Sequence, residues 1–385
     1  MLQLPMKVDD FMKQMNFKGV VVNYIEVEAN PELGFYFPFI IIIPQTIVEN
    51  PELIYACNLT ANNSENCSTM EELIYCAKEE NVEERRKFRS IDPIHYHLCV
   101  DDGNPMVIPY IPRLKDFRPN FLGRDCLLND FKLKGTDKRF EKYMYMYKNL
   151  ADQHKAIIET AVNVLKAEKI DVSEKATLCG YSEGAKFVSH LSLLHPEIIK
   201  GVIAGGTGGA ISMPVSEIDG YEFKYPTGIS GLPNFDFESF KKISFFFYVG
   251  DADKSDSAIP YFENYTFIND KGEEELYRDE CGNLTPRIDE NGNQVFVLDE
   301  NGNYTAKYGL FSDEDVNCIN KVLGTRVQER FIKQQRIYES LGLNSTSIMY
   351  AGNHRTIFKQ KELIFKDLDT FIQENLKKNN LKKQI

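Results

Sequence analysis

One stretch, residues 35–44, reads FYFPFIIIIP and constrains the fold more than any other part of the sequence. Ten residues without a charge and without alternation cannot turn one face to water. Such a segment is expected as a strand covered on both sides, in an interior position of a sheet. It is too short for a membrane helix, which needs about 18 apolar residues or more, and no other run in the sequence reaches that length. Around it, strand-like and helix-like runs alternate. That rhythm is the signature of a mostly parallel sheet with helices packed on both faces.

Strands are expected over residues 19–28, 35–44, 106–112, 176–180, 200–204, 243–249 and 346–350. Helices are expected over 68–87, 140–169, 183–194, 313–341 (broken near Gly324) and 357–376. Two segments leave the rhythm. Residues 211–240 are rich in Gly, Pro and aromatics and read as an irregular, cap-like insertion. Residues 261–310 carry NDKGE, DECGN, DENGN and DENGN at ten-residue intervals. Asn-Gly pairs supply the positive φ of type I′ turns, so this segment reads as a β-hairpin or meander inserted into the main domain. DENGN lacks the distal Glu of a calcium loop, and hairpin turns are the simpler reading. The core α/β unit is then 1–260 with 311–385.

The formal net charge of −12 argues against nucleic acid or anionic lipid as a partner, since both require a basic face. The lysines near the end (Lys377, Lys378, Lys382 and Lys383) read as a solvated terminus. Eight cysteines lie without CxxC spacing, so neither a zinc site nor a redox motif is expected. The first residues show no continuous apolar core or cleavage site, and the expectation is a cytoplasmic protein with free thiols. His95 and His97 form H-x-H without an evident third ligand. His154 is expected on the surface of its helix, and His190 and His195 read as structural. No cofactor or metal is expected.

The chemistry centres on Gly180-Tyr181-Ser182-Glu183-Gly184. The apolar ATLC precedes it and a helical pattern follows, giving the strand, turn and helix of a nucleophile elbow. A serine hydroxyl needs a base in hydrogen-bond reach, and the base needs an orienting acid. After ISFFFYV comes Gly250-Asp251-Ala252-Asp253-Lys254-Ser255-Asp256, and Asp253 is the chosen acid. Asp251 is a rival that could brace the loop, and Asp256 another that could cap the next segment. After SIMY comes Ala351-Gly352-Asn353-His354, and His354 is the base. An oxyanion hole needs two backbone N–H donors. One is expected from Glu183 and one from the loop after the central strand, at Gln45 with Thr46 as runner-up.

The stretches GYSEGAKFVSHLSLLHPEIIKGVIAGGTGG, YPTGISGL, YVGDADKSDSAIPY and AGNHR resemble the α/β-hydrolase family. They are similar in particular to polyhydroxybutyrate-depolymerase-like bacterial serine hydrolases. The resemblance implies an α/β-hydrolase fold and a triad of Ser182, Asp253 and His354, acting on a small-molecule or polyester-type acyl substrate. An amidase or peptidase, or a ligand-binding module with an idle triad, stays open at this point, as does the oligomeric state.

Overall fold

The computed structural model describes residues 12–17, 19–57, 92–111, 144–207, 211–253, 266–271, 274–276, 290 and 313–377. Nine strands form one sheet: β1 (Lys13–Phe17), β2 (Val20–Val27), β3 (Phe39–Ile43), β4 (Leu53–Ala56), β5 (Met106–Pro109), β6 (Ala176–Tyr181), β7 (Ile199–Gly205), β8 (Ser244–Gly250) and β9 (Ser345–Tyr350). The spatial order is β1-β2-β3-β5-β4-β6-β7-β8-β9. From β5 onward all neighbours are parallel. β1, β2, β3 and β5 pair antiparallel in succession, so β3 runs against the parallel set.

β3 is buried at every position, as its uninterrupted apolar run requires. β4, with the sequence LIYA, is equally buried and lies between β5 and β6. It is absent from the strands expected above, because four residues beside Pro51 and Glu52 carry no periodicity of their own.

Helices cover both faces. On one side pack α1 (Leu150–Ala167), α2 (Glu183–Leu194) and α4 (Val327–Ser340), whose Leu150, Ile157, Ala161, Leu165, Phe187, Leu191 and Phe331 join the larger core cluster. On the other lies α5 (Lys361–Phe371), with Ile364, Leu368 and Phe371, beside a short helical segment that begins at Pro93. Helix α3 (Asp313–Leu323) contributes Ile319 and Leu323 to a third cluster with Ile211, Met213 and Phe223. This cluster docks the 211–240 segment on the body.

Several expectations change. Helix α1 starts at Leu150 rather than at 140, because Asn149 takes a left-handed φ of 52° and a 3-10 turn, Met144–Tyr147, precedes it. His154 is fully buried rather than on the surface. Its Nδ1 is hydrogen-bonded to the Tyr55 hydroxyl, and Phe187 packs on its ring. The helix expected over 68–87 and most of the 261–310 segment lie outside the described residues. Within that segment, Thr266–Ile268 pairs antiparallel with Glu274–Leu276. Among the described residues, no helix is long and apolar enough to cross a membrane.

Candidate active site

Parallel strands end at the same edge of a sheet, so residues that follow β6, β8 and β9 meet there whatever their separation in the chain. Ser182 follows β6 directly, Asp253 comes three residues after β8, and His354 four residues after β9. Their side chains form one hydrogen-bonded line. Ser182 Oγ lies 2.9 Å from His354 Nε2, and His354 Nδ1 lies 2.9 Å from Asp253 Oδ2. With a carboxylate accepting at Nδ1, the hydrogen of a neutral imidazole sits there and the lone pair of Nε2 faces the serine. The Asp253 side chain is inaccessible to solvent, while the imidazole keeps partial access.

The local sequence explains each placement. Ser182 adopts φ 58° and ψ −118°, a left-handed φ that a non-glycine residue holds only where its surroundings enforce it. Enforcement comes from both sides: the Ser182 N–H donates to the Gly205 carbonyl at 2.8 Å, and its own carbonyl accepts from Lys186 N–H in the first turn of α2. Gly180 permits the tight return, since a Cβ there would lie 2.4 Å from the Gly184 backbone. The turns that carry Asp253 and His354 are joined to each other. Asp251 N–H donates to the Tyr350 carbonyl and Ala252 N–H to the Gly352 carbonyl. Asp251 Oδ1 accepts from Gly352 N–H at 2.9 Å, so Asp251 braces the loop. Asn353 Oδ1 accepts from the N–H groups of Arg355 and Thr356, which closes the His354 turn as an Asx turn.

Two residues at the site carry no signal in the sequence. The hydroxyl of Tyr181 donates to the His354 carbonyl, and its ring lies 5.1 Å from the imidazole. Burial, reinforced by the nearby Asp253 and Asp92 charges, pushes this phenol far above its ordinary range, so it remains a donor. From α4, Gln328 Nε2 donates to the carbonyls of Gly250 at 3.1 Å and Asp253 at 2.8 Å. An ordinary glutamine in a helical pattern does not announce such a contact.

The expected oxyanion donors separate. Glu183 opens α2 immediately after Ser182, where its N–H belongs to the first helical turn. Gln45 is at the wrong edge. Because β3 runs against the parallel strands, its end delivers residues 44–48 to the start of β5, where Val48 N–H donates to the Gly103 carbonyl. Thr46 shares that location, with its carbonyl close to Gly103. The strand that presents its carboxyl end beside β6 is β4. Cys57, the residue after it, donates its N–H to the Cys179 carbonyl at 2.8 Å. The residues that follow Cys57, and Asp256, lie outside the described residues.

The other histidines serve elsewhere. His95 is buried, bonded to the Cys179 carbonyl through Nε2 and paired with Asp92 through Nδ1. His195 pairs with Asp152 and Glu197. His97 does gain acidic neighbours: Asp369 at 2.8 Å, Asp101 at 3.1 Å and Asp102 at 3.8 Å, with Phe365 stacked on its ring. Burial disfavours its charged form, but the bonds to Asp369 and Asp101 and the charge of Asp102 prevail and raise its pKa. Ligand atoms of His97, Asp102 and Asp369 lie within 4.8 Å of one another, a spacing a metal ion could bridge, although an imidazolium among carboxylates accounts for the same arrangement. Cys57, Cys99 and Cys179 are buried free thiols, and Cys318 is a half-buried one.

A mostly parallel sheet, an elbow between strand and helix, and later strands bringing Asp and then His to the same edge define the α/β-hydrolase fold. Solved structures similar to this chain include a poly(3-hydroxybutyrate) depolymerase from Bordetella parapertussis, at 13% identity and TM-score 0.43, covering 88% of this chain and 86% of that one. Another is poly(aspartic acid) hydrolase-1 from Sphingomonas sp. KT-1, at 11% and 0.42, covering 92% and 97%. A third is an S-formylglutathione hydrolase from Agrobacterium tumefaciens, at 12% and 0.38, covering 95% and 99%. No protein-family model and no curated protein matches the sequence.

Proposed function

We propose that this protein is a serine hydrolase that cleaves a carboxylic ester through an acyl-enzyme. The observation that carries the reading is the unbroken line of hydrogen bonds from Ser182 Oγ through His354 to Asp253, at 2.9 Å in both links. His354 Nε2 takes the proton of Ser182 as Oγ attacks the substrate carbonyl, and the imidazolium that forms faces the buried Asp253 carboxylate. The developing oxyanion sits at the start of α2, where the Glu183 N–H and the helix dipole favour negative charge. His354 then protonates the leaving alcohol. Water repeats the sequence on the acyl-enzyme and releases the acid. A second oxyanion donor is expected from the backbone that follows β4, the parallel strand beside β6.

The test is turnover of p-nitrophenyl acetate together with labelling by a fluorophosphonate probe. Wild type should turn over the ester and be labelled at Ser182. Ser182→Ala should lose both while keeping its circular dichroism and melting temperature. Undiminished turnover by the alanine variant would reject the assignment.

A further inference from the structure

We propose that Gln328 is a positioning residue for the acid of the triad, a clamp from outside the sheet that holds Asp253 where His354 needs it. The inference rests on the hydrolase reading but adds to it a residue that does not touch the reacting atoms.

The acid is carried on a very short turn. Asp253 N–H donates to the Gly250 carbonyl at 3.1 Å, so the turn closes within four residues. Gln328 Nε2 donates to the two carbonyls at its ends, Gly250 and Asp253. An amide nitrogen has two hydrogens, and each has one of these acceptors. One side chain thereby fixes the separation between the end of β8 and the backbone of the acid. The opposite side of the turn is fastened to the His354 loop through Asp251 and Ala252. Asp253 is held between the two.

A clamp is useful only if its own base is rigid, and the start of α4 is. Gly324, at φ 106°, turns the chain from α3 into α4. The buried Arg330 guanidinium fastens that turn, donating from Nε to the Gly324 carbonyl at 2.8 Å and from Nη2 to Asn320 Oδ1 at 2.7 Å. Glu329 Oε2 accepts from the N–H groups of Thr325 and Arg326, satisfying donors at the helix start. Further along, Gln334 Nε2 and the Tyr338 hydroxyl both donate to the Ser212 carbonyl, while the Tyr338 ring packs edge-on against Phe245 and Phe247 of β8. Helix α4 is therefore bound to the strand that carries the acid, and Gln328 spans the remaining gap.

Position matters here because Asp253 Oδ2 must stay within hydrogen-bond reach of His354 Nδ1, now 2.9 Å away. Misplacing a catalytic group by about 1 Å can cost on the order of 100-fold in rate.

The experiment uses the full chain with Gln328→Met, which keeps the side-chain length and removes both donors. With p-nitrophenyl acetate, kcat should fall about 10- to 100-fold while KM stays within about twofold, and fluorophosphonate labelling should slow in parallel. In a Asp253→Ala background, Gln328→Met should add no further loss, because its effect runs through the acid. Selective ¹⁵N-histidine NMR supplies a readout that needs no turnover: the hydrogen-bonded Nδ1 proton of His354 should be seen in wild type and be lost or broadened by exchange in Gln328→Met. An equal kcat loss in both backgrounds, or an unchanged Nδ1 proton, would overturn the clamp. If the Nδ1 signal behaves as expected while wild type neither turns over esters nor reacts with the probe, the clamp stands and the hydrolase reading fails.

Discussion

Gly250→Ala should disable the site without unfolding the protein, because it pushes apart the two turns that carry acid and base. A Cβ on Gly250 would lie 2.2 Å from the carbonyl oxygen of Gly352, and real Cβ atoms essentially never come within 3.0 Å of another atom. The obstacle is backbone, so no side chain can rotate away. The turns must separate by about 0.8 Å, and contact at van der Waals distance needs more. The bond from His354 Nδ1 to Asp253 Oδ2 is 2.9 Å, and an opening of that size carries it past the range in which a hydrogen bond holds. A displacement near 1 Å in a catalytic pair corresponds to roughly 100-fold in kcat, or about 3 kcal/mol of barrier. Overpacking of a single methyl costs about 1–3 kcal/mol of stability, which a chain of this size survives. The assay is steady-state hydrolysis of p-nitrophenyl acetate with a thermal melt on the same preparation. Activity within twofold of wild type would refute the argument that contact between these turns sets the alignment of the triad.

Further expectations follow from other residues. Asp253→Asn keeps the shape of the acid but removes its charge and lets the imidazole take the wrong tautomer, so kcat should fall roughly 10³- to 10⁴-fold with little change in melting temperature. Arg330→Met removes a buried guanidinium and strands its acceptors, and should lower stability by about 2–4 kcal/mol in denaturant titration. Burial, with a smaller contribution from His195, holds the His154 imidazole down to about 3, below its ordinary 6.5. Between those values the unfolded chain binds a proton that the folded one refuses, so stability falls as pH drops from about 6.5 toward 3, by at most roughly 5 kcal/mol. In His154→Gln the fall should be shallower, read as a narrowing gap between the melting temperatures of variant and wild type from pH 6.5 to 4.5.

Much of the architecture can be read from residue order alone, for a physical reason: burial on two faces forces continuous apolar runs, and FYFPFIIIIP and ISFFFYV could hardly be anything else. Strand direction has no such imprint. The same apolar run serves equally well in either sense, and the reversal of β3 carries Gln45 away from the catalytic edge. LIYA is invisible for the opposite reason, being too short to display a period although it neighbours the nucleophile strand. Ser182, Asp253 and His354 stand out in the sequence because each follows a strand and precedes a turn-forming or helical stretch. Tyr181 and Gln328 do not, since their roles depend on which backbone oxygen lies opposite, and nothing local encodes that. The burial of His154 is not legible either, because it depends on a partner, Tyr55, 99 residues away in the chain.

Ser182 and His354 do not share equally secure supports. Among the described residues, strand β6 is paired on both sides, whereas β9, which delivers His354, stands at the end of the sheet and is paired with β8 alone. Margins of a sheet open at lower free energy than its middle. Heating should therefore silence this protein at a temperature where its spectroscopic fold is still whole, as the imidazole drifts from a hydroxyl that has not moved.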